Sequence, residues 1–179
     1  MVMTQQITLG GGCFWCIEGA FKQVRGVLKA QSGYAGGQQA DPTYEQVCTG
    51  QTGHAEVVQI TFDPQALTVR EILEIFFALH DPTQVNRQGN DVGTQYRTSI
   101  FYQTDEQKQL AEEIIAEMER EQTWDAPIVT TVEPLEKFWP AEEYHDNYVE
   151  RNPQNAYCQA VVHPKLAKFK RTFVDKLDG

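Results

Sequence analysis

Basic charge is scarce in this chain. Fifteen Lys and Arg stand against 25 Asp and Glu, a formal net charge of −10. Phosphates and anionic headgroups are held by basic surfaces, so this balance argues against nucleic acid or a membrane as the main partner. The basic residues that do cluster come late, at Lys165, Lys168, Lys170, Arg171 and Lys176, and read as a solvated helix face. Long hydrophobic runs are missing too: no apolar stretch approaches the ~18 residues of a membrane span. The start, "MVMTQQITLG", lacks the charged and apolar regions of a secretory signal, and the expectation is a cytoplasmic protein. Cysteine is limited to four residues. In a reducing compartment these are catalytic, metal-binding or buried rather than structural disulfides. No repeat or low-complexity linker divides the 179 residues, which suits a single domain over 1–179 with a core that needs no staples.

The hydrophobic pattern alternates between strand and helix periods. "QITL" is a short strand. Ile17, Ala20, Phe21 and Val24 recur at helical spacing, with Gly26 as the stop. "VLKAQSGY" reads as a strand before a glycine-rich loop. In "AEVVQITF" the residues Val58, Ile60 and Phe62 share one face, and by period two Glu56 joins it. Thr68 with Glu71 is a capping box for a largely buried helix, "VREILEIFFALH". The segment "DPTQVNRQGNDVGTQ" shows no periodicity and reads as a functional loop. Then follow a strand over "YRTSIFY", a helix from Thr104 to about Gln122, a strand over "IVTTV", a helix over "AEEYHDNYVER" and a last helix opened by Pro164, with Leu166, Phe169 and Phe173 apolar. This mixture predicts an α+β fold, a two-layer sandwich with helices around a mixed sheet whose strand order the pattern leaves open.

"GGGCFWCIEG" carries the chemistry. The glycines permit a tight turn from strand to helix, and Cys13 then lies at the helix N-terminus. Unpaired N–H groups and the helix dipole favour a thiolate there. Cys13 and Cys16 are also half of a zinc site. Such sites need about four Cys or His ligands in close pairs. Cys48, Cys158 and the histidines at 54, 80, 145 and 163 are instead scattered. A disulfide exchanger of the thioredoxin kind is a further reading, but there small residues or proline usually separate the thiols. Here Phe14 and Trp15 do, an apolar wall better suited to an apolar substrate group, unless both rings are simply core. A buried Glu56 on an otherwise apolar face would keep its proton and act as an acid.

"GGCFWC", "GHAEVV", "RQGNDVGTQYRTSIFY" and "NPQNAYC", in that order from about residue 7 to 170, resemble the peptide methionine sulfoxide reductases of the A type. The resemblance, and not the pattern of elements, implies a ferredoxin-like core for the sheet. It also implies reduction of methionine S-sulfoxide, free or protein-bound, to methionine, an activity of antioxidant repair. It implies Cys13 as nucleophile, Glu56 as proton donor, and Tyr44 and Tyr96 as donors to the sulfoxide oxygen. Asp91 would fix the polar side of the pocket, and Phe14 and Trp15 would cradle the methyl group. Attack leaves a sulfenic acid on Cys13. Cys158 matches the resolving cysteine, in a stretch of Asn, Pro and Gln read as mobile, with Cys16 as the alternative resolver or second acceptor. The disulfide would be recycled by thioredoxin. No metal, flavin, nucleotide or other cofactor is implied, and the expected state is a monomer. His54 is read as structural, Cys48 as non-catalytic, and Glu142, His145 and Tyr148 as pocket support. "AEEYHDNY" departs from the family pattern in having Asp146 where Gln is usual, so residue roles on that segment transfer less securely.

Overall fold

The computed structural model describes residues 4–88, 91–142, 145, 151–152 and 154–172. Strand β1 (Gln5–Gly10) leads into helix α1 (Phe14–Phe21). The hairpin of β2 (Val27–Ala35) and β3 (Ala55–Phe62) follows, and the short helix α2 (Tyr44–Cys48) rides on its connection. Helix α3 (Val69–Leu79) and strand β6 (Ser99–Tyr102) complete a βαββαβ unit. Its sheet order is β6-β1-β3-β2 with every neighbour antiparallel, which is the ferredoxin-like arrangement expected from the sequence. Helix α4 (Asp105–Arg120) carries the chain to β7 (Thr131–Pro134), which adds parallel to β6. At the opposite edge β8 (Trp139–Pro140) pairs with β2, making six strands in all.

The two faces of β3 explain the layering. Val58, Ile60 and Phe62 enter the main core with Ile7, Leu9 and the apolar sides of α1 and α3. Val57 and Ala55 enter a smaller cluster with Ala35 and Phe101 on the other face. Burying Ile72, Leu73, Ile75, Phe76 and Phe77 on α3 anchors the helical layer, each worth about 1.5–3 kcal/mol of transfer free energy. Thr68 and Glu71 form the expected capping box. Ile17, Ala20, Phe21 and Val24 are all buried, although α1 ends at Phe21 and a turn carries the chain on to Gly26.

Several expectations are corrected. Only Ser99–Tyr102 of "YRTSIFY" is strand, because Thr94–Tyr96 winds into a 3-10 turn tied to Gly12 by its N–H to the Tyr96 carbonyl (3.2 Å). The unpatterned loop before it holds a two-residue hairpin, β4 (Arg87–Gln88) with β5 (Asp91–Val92). "IVTTV" is extended only from Thr131 onward. Helix α2 was not anticipated, yet Thr43 and Gln46 form a full capping box for it. Cys158 does not lie on an irregular stretch. It opens a π-helical segment (Cys158–Val162) that continues into α5 (His163–Thr172). Tyr144, Asp146, Tyr148, Phe173 and Lys176 lie outside the described residues, as does most of the helix expected over "AEEYHDNYVER".

Candidate active site

The turn between β1 and α1 is shaped by what presses against it. A Cβ on Gly11 would lie 2.9 Å from the His80 ring, and one on Gly12 would lie 3.0 Å from Gln88. Gly12 also has φ +90°, a conformation that side chains rarely adopt. The two neighbours are themselves fixed. His80 bridges the Phe76 carbonyl (2.8 Å) and the Thr98 hydroxyl (2.7 Å). The Gln88 amide exchanges hydrogen bonds with the backbone of Asp81 (3.0 and 2.5 Å). The turn delivers Cys13 as the N-cap of α1, as the sequence predicts.

Cys13 is only 8 % exposed, and its environment modifies the expected thiolate. Burial pushes the thiol well above its usual range, and the charge of Glu56 adds to this. The Trp15 backbone amide, at the first turn of α1, pulls in the opposite direction. At rest Cys13 is therefore a thiol, and the neighbouring Cys16 side chain pushes it further the same way. The Cys13 side chain in turn lowers the Cys16 thiol against the effect of burial, with further help from the Lys165 ammonium.

Glu56 sits on β3 where the period-two pattern places it, cross-strand from Tyr34 and 1 % exposed. The Phe14 backbone N–H donates to Oε1 at 3.3 Å, and Oε2 is buried with no protein partner among the described residues. Burial raises its pKa to about 8, partly offset by the Phe14 amide. The carboxyl is thus protonated at neutral pH. Glu56 influences Cys13, Tyr44, Cys48 and Tyr96, which places all of them around one centre. Burial is also the leading reason that both phenols are held far above the range in which they ionise, so Tyr44 and Tyr96 are neutral donors.

The aromatic wall is a stack. Phe14 is fully buried between Tyr34 (5.9 Å), Tyr44 (6.2 Å) and His145 (5.1 Å). It backs the wall, while the half-buried Trp15 forms the accessible part. Trp15 Nε1 donates to His145 Nδ1 at 3.1 Å, and Tyr157 meets the indole edge-on at 5.9 Å. Asp91 accepts from the Tyr157 hydroxyl at 2.5 Å. Glu142 braces the other side, accepting from the Tyr34 hydroxyl and the Tyr44 amide, each at 2.9 Å. His54 is buried and ties the glycine loop through the Gly37 amide (3.0 Å) and the Gln39 carbonyl (2.7 Å). Cys158 is fully buried; burial raises its thiol, followed by the charge of Cys16.

The structure thus gathers Cys13, Cys16, Glu56, Tyr44, Tyr96, Asp91, Phe14 and Trp15, and Cys158 feels the charge of Cys16. Sequence reasoning missed Tyr34, His80, Gln88 and Tyr157. Of these Tyr157 alone carried a signal, standing beside Cys158 in "NPQNAYC". Among the described residues no group of three or more His, Cys, Asp or Glu converges to hold a metal ion. No helix among them is long and apolar enough to cross a membrane.

A buried thiol at a helix N-terminus, beside a protonated carboxyl and two neutral phenols, has the make-up of a thiol-dependent oxidoreductase centre. Comparison with known proteins narrows the class. The family model described as peptide methionine sulfoxide reductase matches residues 5–177. The peptide methionine sulfoxide reductase MsrA of Natronomonas pharaonis is 52 % identical over 177 residues, 99 % of each chain. That of Chromobacterium violaceum is 53 % identical over 169 residues, 94 % of this chain and 96 % of its own. Among solved structures, reduced Mxr1 from Saccharomyces cerevisiae superposes with a TM-score of 0.79 at 36 % identity, covering 87 % of this chain and 89 % of that one. Methionine sulfoxide reductase A of Corynebacterium diphtheriae gives 0.75 at 34 % identity, covering 84 % and 76 %. The chain belongs to the peptide methionine sulfoxide reductase family.

Proposed function

We propose that this chain reduces methionine S-sulfoxide to methionine, with Cys13 as nucleophile and Glu56 as the acid that makes the oxygen leave. The single observation that carries the assignment is Glu56 Oε2: a buried, protonated carboxyl with one oxygen unpartnered, influencing Cys13 and both site phenols. The Cys13 sulfur bonds to the sulfoxide centre while Glu56 gives its proton to the oxygen. The thiol proton follows, the S–O bond breaks, and the oxygen leaves as water with that electron pair. Water then attacks the Cys13 sulfur, the bond between Cys13 and the substrate sulfur breaks, methionine departs with its electron pair, and Cys13 is left as sulfenic acid. The proton lost by the attacking water restores Glu56. Tyr44 and Tyr96 donate to the oxygen as it gains charge. Trp15, backed by Phe14, takes the methyl group, and Asp91 with Tyr157 closes the polar side.

A sulfenic acid needs a second thiol. Sequence reasoning favours Cys158 for this step, but Cys16 lies one helical turn from Cys13, its amide donating to the Cys13 carbonyl at 3.2 Å, which supports Cys16. We infer a relay: Cys16 attacks the sulfenic acid and expels water, then Cys158 attacks Cys16, frees Cys13 and leaves a Cys16–Cys158 disulfide. An external dithiol reduces that bond by exchange. Mxr1 has been solved in complex with Trx2, at 25 % identity to this chain and a TM-score of 0.56, which supports thioredoxin as the reductant. One six-stranded sheet running through the described residues supports one domain over 1–179, and a monomer is the expected working state.

Peptide mapping after one turnover without reductant tests the relay. The expected products are Cys16–Cys158 in the wild type and Cys13–Cys16 in Cys158→Ser. A direct Cys13–Cys158 bond, with full recycling in Cys16→Ser, would overturn it.

A further inference from the structure

Sequence patterning assigns the late basic run to a solvated helix face, but Lys165 on α5 is half-buried. Its neighbours fix where it sits. The next residue, Leu166, packs against Gly19 of α1, where a Cβ would lie 3.1 Å from the leucine Cδ1. Gly19 is three residues beyond Cys16, so the leucine seat and the Cys16 side chain share one face of α1. Lys165 itself lines a cavity with His80, and the His80 ring presses on Gly11 at the turn that starts α1. The side chain is thus held between the end of α3 and the first turns of α1. Its charge reaches both His80 and Cys16.

The titratable groups that act on Cys16 or feel its charge come from every side. They are Cys13 on its own turn, Glu56 from β3, Asp91 from β5, Tyr157 and Cys158 from the segment before α5, and Lys165 from α5. Lys165 alone among them is a cation, and it makes no ion pair among the described residues. The two thiols of the relay have opposite needs. Cys13 gives its proton to the departing oxygen, whereas Cys16 must lose its proton before it attacks, because the thiolate is the attacking form. In that attack the Cys16 sulfur bonds to the Cys13 sulfur, the S–O bond of the sulfenic acid breaks, and hydroxide leaves and takes up the proton that Cys16 released.

Resting on the relay, we propose that Lys165 is a positioning residue for the resolving step: from its seat on α5 it presents a fixed positive charge to the Cys16 sulfur as that sulfur attacks the sulfenic acid.

Rapid-quench single turnover of the reduced full-length protein with methionine S-sulfoxide separates the two stages. Released methionine reports the attack by Cys13. Loss of dimedone-trappable sulfenic acid on Cys13, read by mass spectrometry, reports the attack by Cys16. The expected result for Lys165→Gln is methionine release at the wild-type rate, with resolution slowed by about three- to tenfold at neutral pH. The pH profile of resolution should move to higher pH, where the thiolate then forms. Lys165→Arg should return both to wild-type values. An unchanged rate and profile in Lys165→Gln, methionine release slowed to the same extent, or no rescue by Arg would overturn the proposal. Failure of the relay itself reads differently: a Cys13–Cys158 product in the wild type and in Cys16→Ser alike would show that Cys16 takes no part, and the role of Lys165 would fall with it.

Discussion

In the proposed mechanism Glu56 has one task that a neutral glutamine cannot perform. With its pKa raised to about 8 by burial, the carboxyl is protonated through neutral pH and ionises above that value. The expected kcat/KM profile is flat below pH 8 and falls above it. Glu56→Gln keeps the size and burial but loses the transferable proton, so it should lower the rate by about 10²–10⁴-fold and abolish the limb near pH 8. A Gln variant with wild-type kinetics would exclude the acid role. His80 titrates in the opposite sense. Its folded pKa of about 4 lies below the ordinary 6.5, with burial the main cause. Its contribution to stability is present above pH 6.5 and is lost as pH falls through 4, up to about 3 kcal/mol. Urea denaturation across that window should show an extra loss in the wild type that is absent from His80→Gln. Parallel curves for the two proteins would contradict this.

At the scale of elements, the β1–α1 turn is where backbone geometry becomes chemistry. Gly12→Ala places a methyl group at positive φ and against Gln88, at a cost of about 1–2 kcal/mol. It should also slow alkylation of Cys13 by shifting the N-cap. Denaturation and thiol-labelling rates check the two effects, and an unchanged labelling rate would detach the turn from the reactivity of the thiol. Much of this element was legible in the sequence. Cys13 at a helix start follows from the glycines, and the buried face of Glu56 follows from alternation along β3. The supporting residues were not legible, because their partners are distant in the chain. Tyr157 meets Asp91 across 66 positions, and the Tyr44 amide meets Glu142 across 98. Tyr96 was assigned to a strand because its neighbours are β-formers, yet the hydrogen bond from Gly12 and the hairpin before it hold it in a 3-10 turn. Composition suggested a mobile Cys158, whereas the apolar residues around it bury it in a helical segment.

At the scale of the whole molecule, the ferredoxin-like sheet brings the proposed catalytic set together from separate pieces. Cys13 comes from the first crossover, Tyr44 from the hairpin connection, Glu56 from β3, and Asp91 and Tyr96 from the link between α3 and β6. Helix α5 closes the assembly, with Leu166 seated against Gly19 of α1. Cys158, buried in the segment that leads into α5, feels the charge of Cys16, which supports the proposed relay. The most direct measurement is a single turnover in the reduced Cys16→Ser, Cys158→Ser double variant, which leaves Cys13 without a resolving thiol. Mixing it with methionine S-sulfoxide should release one equivalent of methionine per chain and leave a sulfenic acid on Cys13, trapped and located by mass spectrometry. No methionine, or an oxygen located on any other residue, would contradict the mechanism.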